Sequence, residues 1–220
     1  MAALTGKAAK VKYTAASYST ATGEAFTSLS PTTDKTEFRI TDAAKRHWTR
    51  DLPPVVYVNS TAHTDFEYNP VQGKLTFGNP LTVAESAQVT GDVYWVTATY
   101  LPWTREWSAD VSVDMLDVTS FSTTAADVQW RTFTDGLSNA SVDLGRIVDT
   151  PTTQTPMWFD RLNADQDVIV ELLVNSAGST YKWEAYGRIE SDGYTAGIDA
   201  IMDESVMIQV DGPFYYGTTE

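Results

Sequence analysis

The two histidines are the side chains best suited to act as a catalytic base, and neither stands in a motif for that chemistry. His47 follows Lys45-Arg46, and His63 lies in a threonine-rich stretch. A serine nucleophile would favour a G-x-S-x-G turn, which the sequence lacks. Cysteine is absent, which excludes thiol nucleophiles and thiolate metal sites. Nucleotide-binding glycine motifs are also missing. The sequence predicts no enzyme, no catalytic residue and no cofactor.

Carboxylates are the remaining chemical candidates, since the chain has 29 of them. The densest clusters are Asp165-Gln166-Asp167 and Asp203-Glu204. Neither has the spaced ligands and central glycine of an EF-hand loop. A glycosidase pair would have to face each other across a cleft, which adjacency does not provide. We expect solvated turn acids here and no metal site.

Aromatic side chains offer a third kind of chemistry, the stacking of sugars on exposed rings. The candidates for such a strip are Trp103, Trp107, Trp130, Trp183 and Tyr215-Tyr216. Trp107 and Trp183 occupy the apolar positions of alternating segments, however, where burial explains them. Aromatic residues dominate both cores and subunit interfaces, so we favour one of these two roles.

Charge is distributed very unevenly along the 220 residues. Residues 1–100 carry nine basic and nine acidic side chains, whereas residues 101–220 carry six basic and twenty acidic ones. The second part therefore accounts for the whole net charge of −14. Such a surface cannot grip a phosphate backbone, because DNA affinity comes from cations that release counterions. No signal peptide or membrane-spanning apolar run is evident, and we expect an aqueous location.

Alternation of apolar and polar residues with period two is the main structural signal, and it predicts antiparallel strands with one solvated face. From Trp107 to Asp114 every odd position is apolar and every even position is polar. Segments 138–147, 181–190 and 205–211 alternate in the same way. We predict a mainly β protein, an antiparallel β-sandwich or barrel-like fold with one or two short flanking α-helices.

Turn and helix signals punctuate these strands. Residues 69–73 predict a turn joining strands at 65–68 and 74–77. Residues 175–178 and Ser191-Asp192-Gly193 predict hairpin connections. A short amphipathic helix is expected at 156–164 and a helical turn at 42–48. Pro102, where the charge character also changes, is the predicted boundary between a segment 1–102 and a domain 103–220.

From Arg105 onward the order of features resembles the major tail tube proteins of long-tailed bacteriophages. An alternating strand ends in residues 116–121, and a polar interruption leads to the segment 130–137, which reads Trp-Arg-Thr-Phe-Thr-Asp-Gly-Leu. A strand, the short helix, a hairpin and closing strands follow up to about residue 217. The resemblance covers roughly half of the chain. Residues 38–48 and 55–59 are similar to segments of phage structural proteins, and segment 1–102 belongs to the tube wall or decorates it.

The resemblance implies a tail-tube β-sandwich that forms stacked hexameric rings, through which DNA passes without specific binding. Its partners would be copies of itself and other tail proteins such as the tape measure, terminator and baseplate. Its location would be the virion tail, after synthesis in the host cytoplasm. An acidic bore would repel phosphate, and its candidate residues lie on polar strand faces. These candidates are Asp110, Asp114, Asp143, Glu171 and Glu184.

Two alternatives stay open at the level of sequence. A head decoration, tail terminator or baseplate protein would share the β-fold but form single rings or isolated trimers. A carbohydrate-binding sandwich or a carboxylate-based glycosidase would instead be a monomer with an exposed aromatic strip.

Overall fold

The computed structural model describes residues 10–14, 17–30, 35–101, 104–117, 133–148, 162, 166–174, 181–196 and 202–218. These residues contain fifteen strands and very little helix, so the prediction of a mainly β, antiparallel fold is confirmed. In chain order the strands are β1 Lys10–Thr14, β2 Ser19–Ser28, β3 Lys35–Ile40, β4 Val55–Val58, β5 Thr61–His63, β6 Phe66–Asn69, β7 Lys74–Leu81, β8 Val89–Trp95, β9 Ala98–Tyr100, β10 Thr104–Asp117, β11 Phe133–Ile147, β12 Asp167–Val174, β13 Tyr181–Thr195, β14 Asp203–Val210 and β15 Tyr215–Thr218.

Two antiparallel sheets share these strands. The eight-stranded sheet has the order β10-β11-β14-β13-β12-β1-β9, with β15 pairing with β13. The seven-stranded sheet has the order β5-β4-β8-β2-β3-β7-β6. It is therefore built wholly from residues 19–95, whereas β1 and β9, which flank that segment in sequence, pair with each other in the eight-stranded sheet.

The division of the chain at residue 102 stays a prediction, and the sheets divide the chain differently. The predicted boundary falls between β9 and β10, and both of these strands belong to the eight-stranded sheet. Leu101, at the end of β9, donates its backbone N–H to Val11 O (2.8 Å) and is buried in the core of that sheet. In sequence, the seven-stranded sheet is thus inserted between β1 and β9, two paired strands of the other sheet.

Each sheet has its own apolar core, as the period-two pattern requires. Under the eight-stranded sheet lie alternate residues such as Val142, Leu144, Val206 and Ile208. In the seven-stranded sheet, Phe38 and Phe77 pack edge to face with ring centroids 5.3 Å apart. A third, smaller cluster joins the sheets and contains Val71, Val96, Ile169 and Tyr186.

The predicted turns have mixed outcomes. The turn at residues 69–73 is confirmed: Gly73 has φ +61°, and a Cβ atom there would lie 2.8 Å from the carbonyl oxygen of Arg46. The prediction of a hairpin at Ser191-Asp192-Gly193 is wrong, because β13 runs through it to Thr195. A register shift between Ile189 and Ser191 bends the strand there instead. Residues 175–178 lie outside the described residues, although β12 and β13 pair on either side of them as predicted.

Of the two predicted helical elements, the described residues show one as a shorter turn and contain a single residue of the other. The helical turn expected at 42–48 is a 3₁₀ turn at Ala43–Lys45, capped by the side chain of Asp42. Of the helix expected at 156–164, only Leu162 lies in the described residues; it is helical and packs against the core of the eight-stranded sheet. A one-turn helix, α1 (Val83–Ser86), was not predicted, although Thr82 and Glu85 form a capping box there.

Candidate functional site

The strands β10 and β11 form a long hairpin whose outer part is exposed on both faces. At its base Trp107 and its cross-strand partner Leu144 pack against the core. Further out, Val111 and Val113 are 56% and 42% exposed, although the sequence pattern predicts that both face inward. This expectation is wrong because this part of the hairpin extends beyond Ser141, the outermost residue of β11 that pairs with β14. We call residues 108–114 and 138–143 the arm; residues 108–114, Ser138 and Asn139 are its exposed part.

Three of the five predicted acidic residues lie at the arm. Asp110 is opposite Ser141 and Asp143 is opposite Ser108, so the two aspartates share one face of the hairpin. Asp110 and Asp114 are exposed and Asp143 is half-buried. The structure therefore brings acidic side chains together on the solvated face, but a single protomer does not test whether they line a bore.

The other two predicted acidic residues, Glu171 and Glu184, do not reach solvent. They share the sheet face of Asp110. The cross-strand register runs from Asp110 through Ser141 and Gln209 to Arg188, and Glu184 lies on the same face of β13 as Arg188. The seven-stranded sheet covers this end of the face and leaves Glu171 5% and Glu184 3% exposed. Their assignment to an open bore is corrected here: alternation identifies the face, but not what lies over it.

Glu171 is the centre of a buried charge network that spans both sheets. His47, from the 3₁₀ turn, places Nε2 3.1 Å from Glu171 Oε1 and Nδ1 2.7 Å from the carbonyl oxygen of Val71. Lys12 Nζ, from β1, lies 2.7 Å from Glu171 Oε2, and Lys182 Nζ lies 3.6 Å from Oε1. Three residues from separate elements therefore converge on one carboxylate.

Glu184 completes this network on the neighbouring strand. Lys182 Nζ donates to Glu184 Oε1, and the amide of Gln72 approaches Oε2 at 3.5 Å. Burial by itself would raise the pKa of Glu171, but the hydrogen bond from His47 and the nearby charges of His47 and Lys12 outweigh it. The pKa of Glu171 is consequently held well below its ordinary value of 4.5.

The network has the donor atoms of a metal site but not its charge balance. The ligand atoms of His47, Glu171 and Glu184 lie within 4.8 Å of one another. The ammonium groups of Lys12 and Lys182 already neutralise the two carboxylates, and a bound cation would have to displace them. The arrangement fits an ion-pair network that joins the sheets better than a metal centre.

A second set of polar interactions, centred on Arg50, lies at the edge of the contact between the two sheets. Arg50 Nη1 lies 2.5 Å from Asp211 Oδ2, and the guanidinium of Arg50 stands 4.8 Å from the ring centroid of Tyr186. The backbone N–H of Arg50 donates to the hydroxyl of Tyr186 (3.4 Å). Burial is the main reason why the pKa of the Tyr186 phenol is raised above its ordinary value.

The remaining candidates do not assemble into an active site within the described residues. Asp167 pairs with Arg188 (2.7 Å) and Asp203 with Arg105 (3.2 Å) at the surface. Glu204 is buried against Arg146, its partner on the adjacent strand. Asp165 lies outside the described residues. These carboxylates are held by cations in separate places and do not face one another across a cleft.

Among the described residues, four aromatic rings form a row of contacts that runs from the core to the surface: Trp107, Trp183, Tyr216 and Tyr181. Trp107 and Trp183 are in contact (5.7 Å between ring centroids) and are partly buried against the core. Tyr216 stacks on Tyr181 with an interplanar angle of 6° and is 60% exposed. Tyr215 packs in the cluster between the sheets. Trp103 and Trp130 lie outside the described residues.

Comparisons with known proteins give matches of structure alone. No family model and no curated protein matches the sequence. A part of the fold is similar to the tail of an empty gene transfer agent particle with C6 symmetry (15% identity, 55% of this chain and 87% of that chain, TM-score 0.43). It is also similar to the SPP1 tail tube (13% identity, 56% and 69% coverage, TM-score 0.42). A third match is the virion of a native gene transfer agent (13% identity, 55% and 88% coverage, TM-score 0.43).

These three solved structures are a particle tail, a tail tube and a virion. Among the described residues, no helix is both long and apolar enough to cross a membrane.

Proposed function

We propose that the chain is the major tail tube subunit of a phage-like particle, a structural virion protein whose copies form stacked hexameric rings around a DNA-conducting bore. The observation that carries this proposal is the arm. As far as the described strands go, it combines an unpaired strand edge with exposed apolar side chains, a combination that an isolated protomer has no use for. The six-fold ring is what the sequence resemblance implies.

The edge of β10 is the part of the arm best suited to bind a second copy. Within the described residues this 14-residue strand pairs with β11 and with no other strand. A long exposed edge presents a row of free backbone N–H and C=O groups and is a template for pairing with another chain. Val111 and Val113 add apolar surface at the same place. Pairing between copies would satisfy the backbone groups and bury both valines.

The acidic face of the arm would then contribute to the wall of the bore. Asp110, Asp114 and Asp143 are the carboxylates we assign to it, whereas Glu171 and Glu184 serve the contact between the sheets. Carboxylates on a bore wall repel DNA phosphates, so the polymer meets few favourable sites that would hold it. DNA would pass without specific binding.

The remaining parts of the proposal follow from this role. The tube would contact a tape measure protein inside, a terminator at one end and a baseplate at the other. The protein would be made in the host cytoplasm and act in the virion tail. No catalytic role and no cofactor are part of the proposal.

Negative-stain microscopy of the purified chain at high concentration tests the proposal. We expect tubes or stacked rings for the wild type. The double variant Val111→Lys/Val113→Lys should stay monomeric, because a lysine row on the edge opposes pairing with a second copy. Val83→Lys is the matched control: Val83 is 65% exposed, but it lies on α1, away from the arm.

Other outcomes separate the alternatives. Single rings without stacking would favour a terminator or baseplate protein. If the Val111→Lys/Val113→Lys variant forms tubes as well as the wild type does, the arm is not part of the contact between copies. Retention of a strictly monomeric wild type on a polysaccharide column would favour a carbohydrate-binding protein.

A further inference from the structure

A cleft lined by aromatic rings opens at the edge of the contact between the two sheets. It has a volume of about 340 Å³, within the range of small-molecule sites in proteins. Arg50 and residues 68–71 line one side, and Tyr186, residues 211–213 and Tyr215 line the other. Neither the proposed tube contact nor the buried charge network uses the side chains of this cleft.

Three tyrosines give the cleft its apolar walls. Tyr68, on β6, and Tyr215, on β15, are half-buried and line it from opposite sheets. Tyr186 is only 6% exposed, and the guanidinium of Arg50 stands 4.8 Å from its ring centroid. Tyrosine rings offer flat apolar surface together with a polar hydroxyl. The walls are therefore suited to a ligand that has a flat apolar face.

The charges of the lining cancel each other. Arg50 and Asp211 are its charged residues, and Nη1 of the arginine lies 2.5 Å from Oδ2 of the aspartate. An ionic ligand would give up its hydration on entering the cleft and would find no unmatched charge there in return. The cleft therefore favours a neutral ligand.

Hydrogen-bonding groups nevertheless remain available in the cleft. Within the part of the chain that the structure describes, the hydroxyl of Tyr68 and Oδ1 of Asp211 have no hydrogen-bond partner. The contacts of the Arg50 side chain to Asp211 use Nη1 alone, so other N–H groups of the guanidinium remain. The hydroxyl of Tyr215 accepts from the side chain of Asn69 and keeps its own proton to donate. The cleft thus offers both donors and an acceptor to a neutral ligand.

A sugar ring is the ligand class that matches all of these properties. The C–H groups of a pyranose form an apolar face that packs on an aromatic ring, while its hydroxyls both donate and accept hydrogen bonds. Neighbouring hydroxyls can donate to the free oxygen of Asp211 and accept from Arg50. A proline-rich peptide is also neutral and packs on tyrosines, but its prolines have no donor for the carboxylate.

We propose that this cleft binds a short neutral saccharide, such as a disaccharide, packed against Tyr68 and Tyr215 and hydrogen-bonded by Arg50 and Asp211. The two tyrosines come from different sheets, so a saccharide bound between them also connects the sheets and stabilises their contact. The site belongs to a single copy of the chain. It does not rest on the proposed tube, because a copy binds the saccharide whether or not it assembles.

Saturation-transfer difference NMR on the full chain tests the proposal. The probes are maltose, cellobiose, lactose and N,N′-diacetylchitobiose, each added alone to the wild type. We expect saturation transfer to the ring protons of at least one of them. Its binding should shift the backbone amide resonances of Val71 and Gly212, which line the cleft, and leave those of Gly145 and Gly193, outside the cleft, unchanged.

Two variants assign the binding to named side chains. Asp211→Asn puts a donor in place of the free acceptor and should weaken binding roughly tenfold, the effect of losing a hydrogen bond to a charged group. Its matched control is Asp203→Asn, since the Asp203 side chain is similarly exposed (53% against 54%) and also pairs with an arginine, but outside the cleft. Tyr68→Phe keeps the ring, loses the hydroxyl and should weaken binding several-fold. Tyr100→Phe is its control, because Tyr100 is exposed on β9, away from the cleft.

Several results would overturn the saccharide site. They are no saturation transfer to any of the disaccharides, resonance shifts confined to residues outside the cleft, and equal binding by the wild type and Asp211→Asn. Binding of a polyproline peptide by a chain that leaves the disaccharides unbound would assign the cleft to a peptide instead. Thermal unfolding confirms that each variant is folded before binding is compared. Tubes without saccharide binding, or saccharide binding without tubes, separate this proposal from the proposed function.

Discussion

Glu171 and Glu184 lie directly opposite each other on β12 and β13, and both carboxylates are buried beneath the seven-stranded sheet. Two like charges at opposed positions repel each other, and burial adds the cost of removing them from water. Lys12, Lys182 and His47 offset both effects. The contact between the sheets is therefore stabilised as a set of charges, and removing any one member leaves the others unmatched.

Glu171→Gln should be strongly destabilising for this reason. The substitution keeps the shape of the side chain but leaves Lys12 and His47 without their buried carboxylate. Breaking a buried ion pair from one side costs about 3 kcal/mol or more of the free energy of unfolding. Urea unfolding measures the loss. The exposed Glu190→Gln on β13 should change the same free energy by less than about 0.5 kcal/mol, and equal losses in both variants would contradict the network.

The stability of the contact should fall in acid. The pKa of Glu171 is lower in the folded protein than its ordinary value of 4.5. A carboxyl group with a lowered folded pKa stabilises the fold fully above its unfolded pKa, and that contribution is lost as the pH falls below it. Urea midpoints measured from about pH 6 to pH 3 should fall more steeply for the wild type than for Glu171→Gln. Parallel slopes would show that Glu171 is not the titrating group.

Two glycines on β13 provide a matched test of close packing. A Cβ atom at Gly187 would lie 2.6 Å from the backbone oxygen of Gln209 and 2.8 Å from a methyl carbon of Ile208. At Gly193 the nearest atom would be 3.8 Å away. Gly187→Ala should therefore lower the free energy of unfolding by about 1–3 kcal/mol, while Gly193→Ala should have little effect. Thermal unfolding of the two variants decides between them, and similar melting temperatures would disprove the close approach of β13 and β14.

Reversing charges on the arm tests its role towards DNA. Asp110→Lys, Asp114→Lys and Asp143→Lys together exchange repulsive side chains for ones that bind phosphate. If the three residues line the bore, particles carrying this variant should assemble tails but release DNA more slowly, most clearly at low salt. The release of labelled DNA from purified particles is the measurement. If the three residues lie on the outer wall of the tube instead, the same variant should release DNA at the wild-type rate.

The sequence was sufficient to predict the strand content and the face of most strands. Alternation in segment 205–211 correctly identifies Val206, Ile208 and Val210 as buried residues of β14. The turn at 69–73 is also predictable from the sequence, because the Asn69 side chain accepts hydrogen bonds from the backbone of the turn and Gly73 adopts a positive φ. These are local properties of the chain, and local signals predict them.

What the sequence could not show were contacts between distant segments. The alternating pattern places Val111 inward, but whether a core lies there depends on how far the other strands extend. Glu171 stands within the apolar run of β12, a strand that is buried on both faces. An acidic residue in such a run is the one sequence signal that indicates a buried charge at this position. His47 is 124 positions away from it, so no local pattern joins the two residues.

The central claim is that copies of this chain join through the arm and surround a channel with its carboxylates. A helical reconstruction by cryo-electron microscopy of the material assembled from the purified chain tests it most directly. We predict a tube in which the edge of β10 contacts the neighbouring subunit and Asp110 and Asp114 point into the lumen. An assembly that leaves the edge of β10 in solvent and carries these carboxylates on its outer wall would contradict the account.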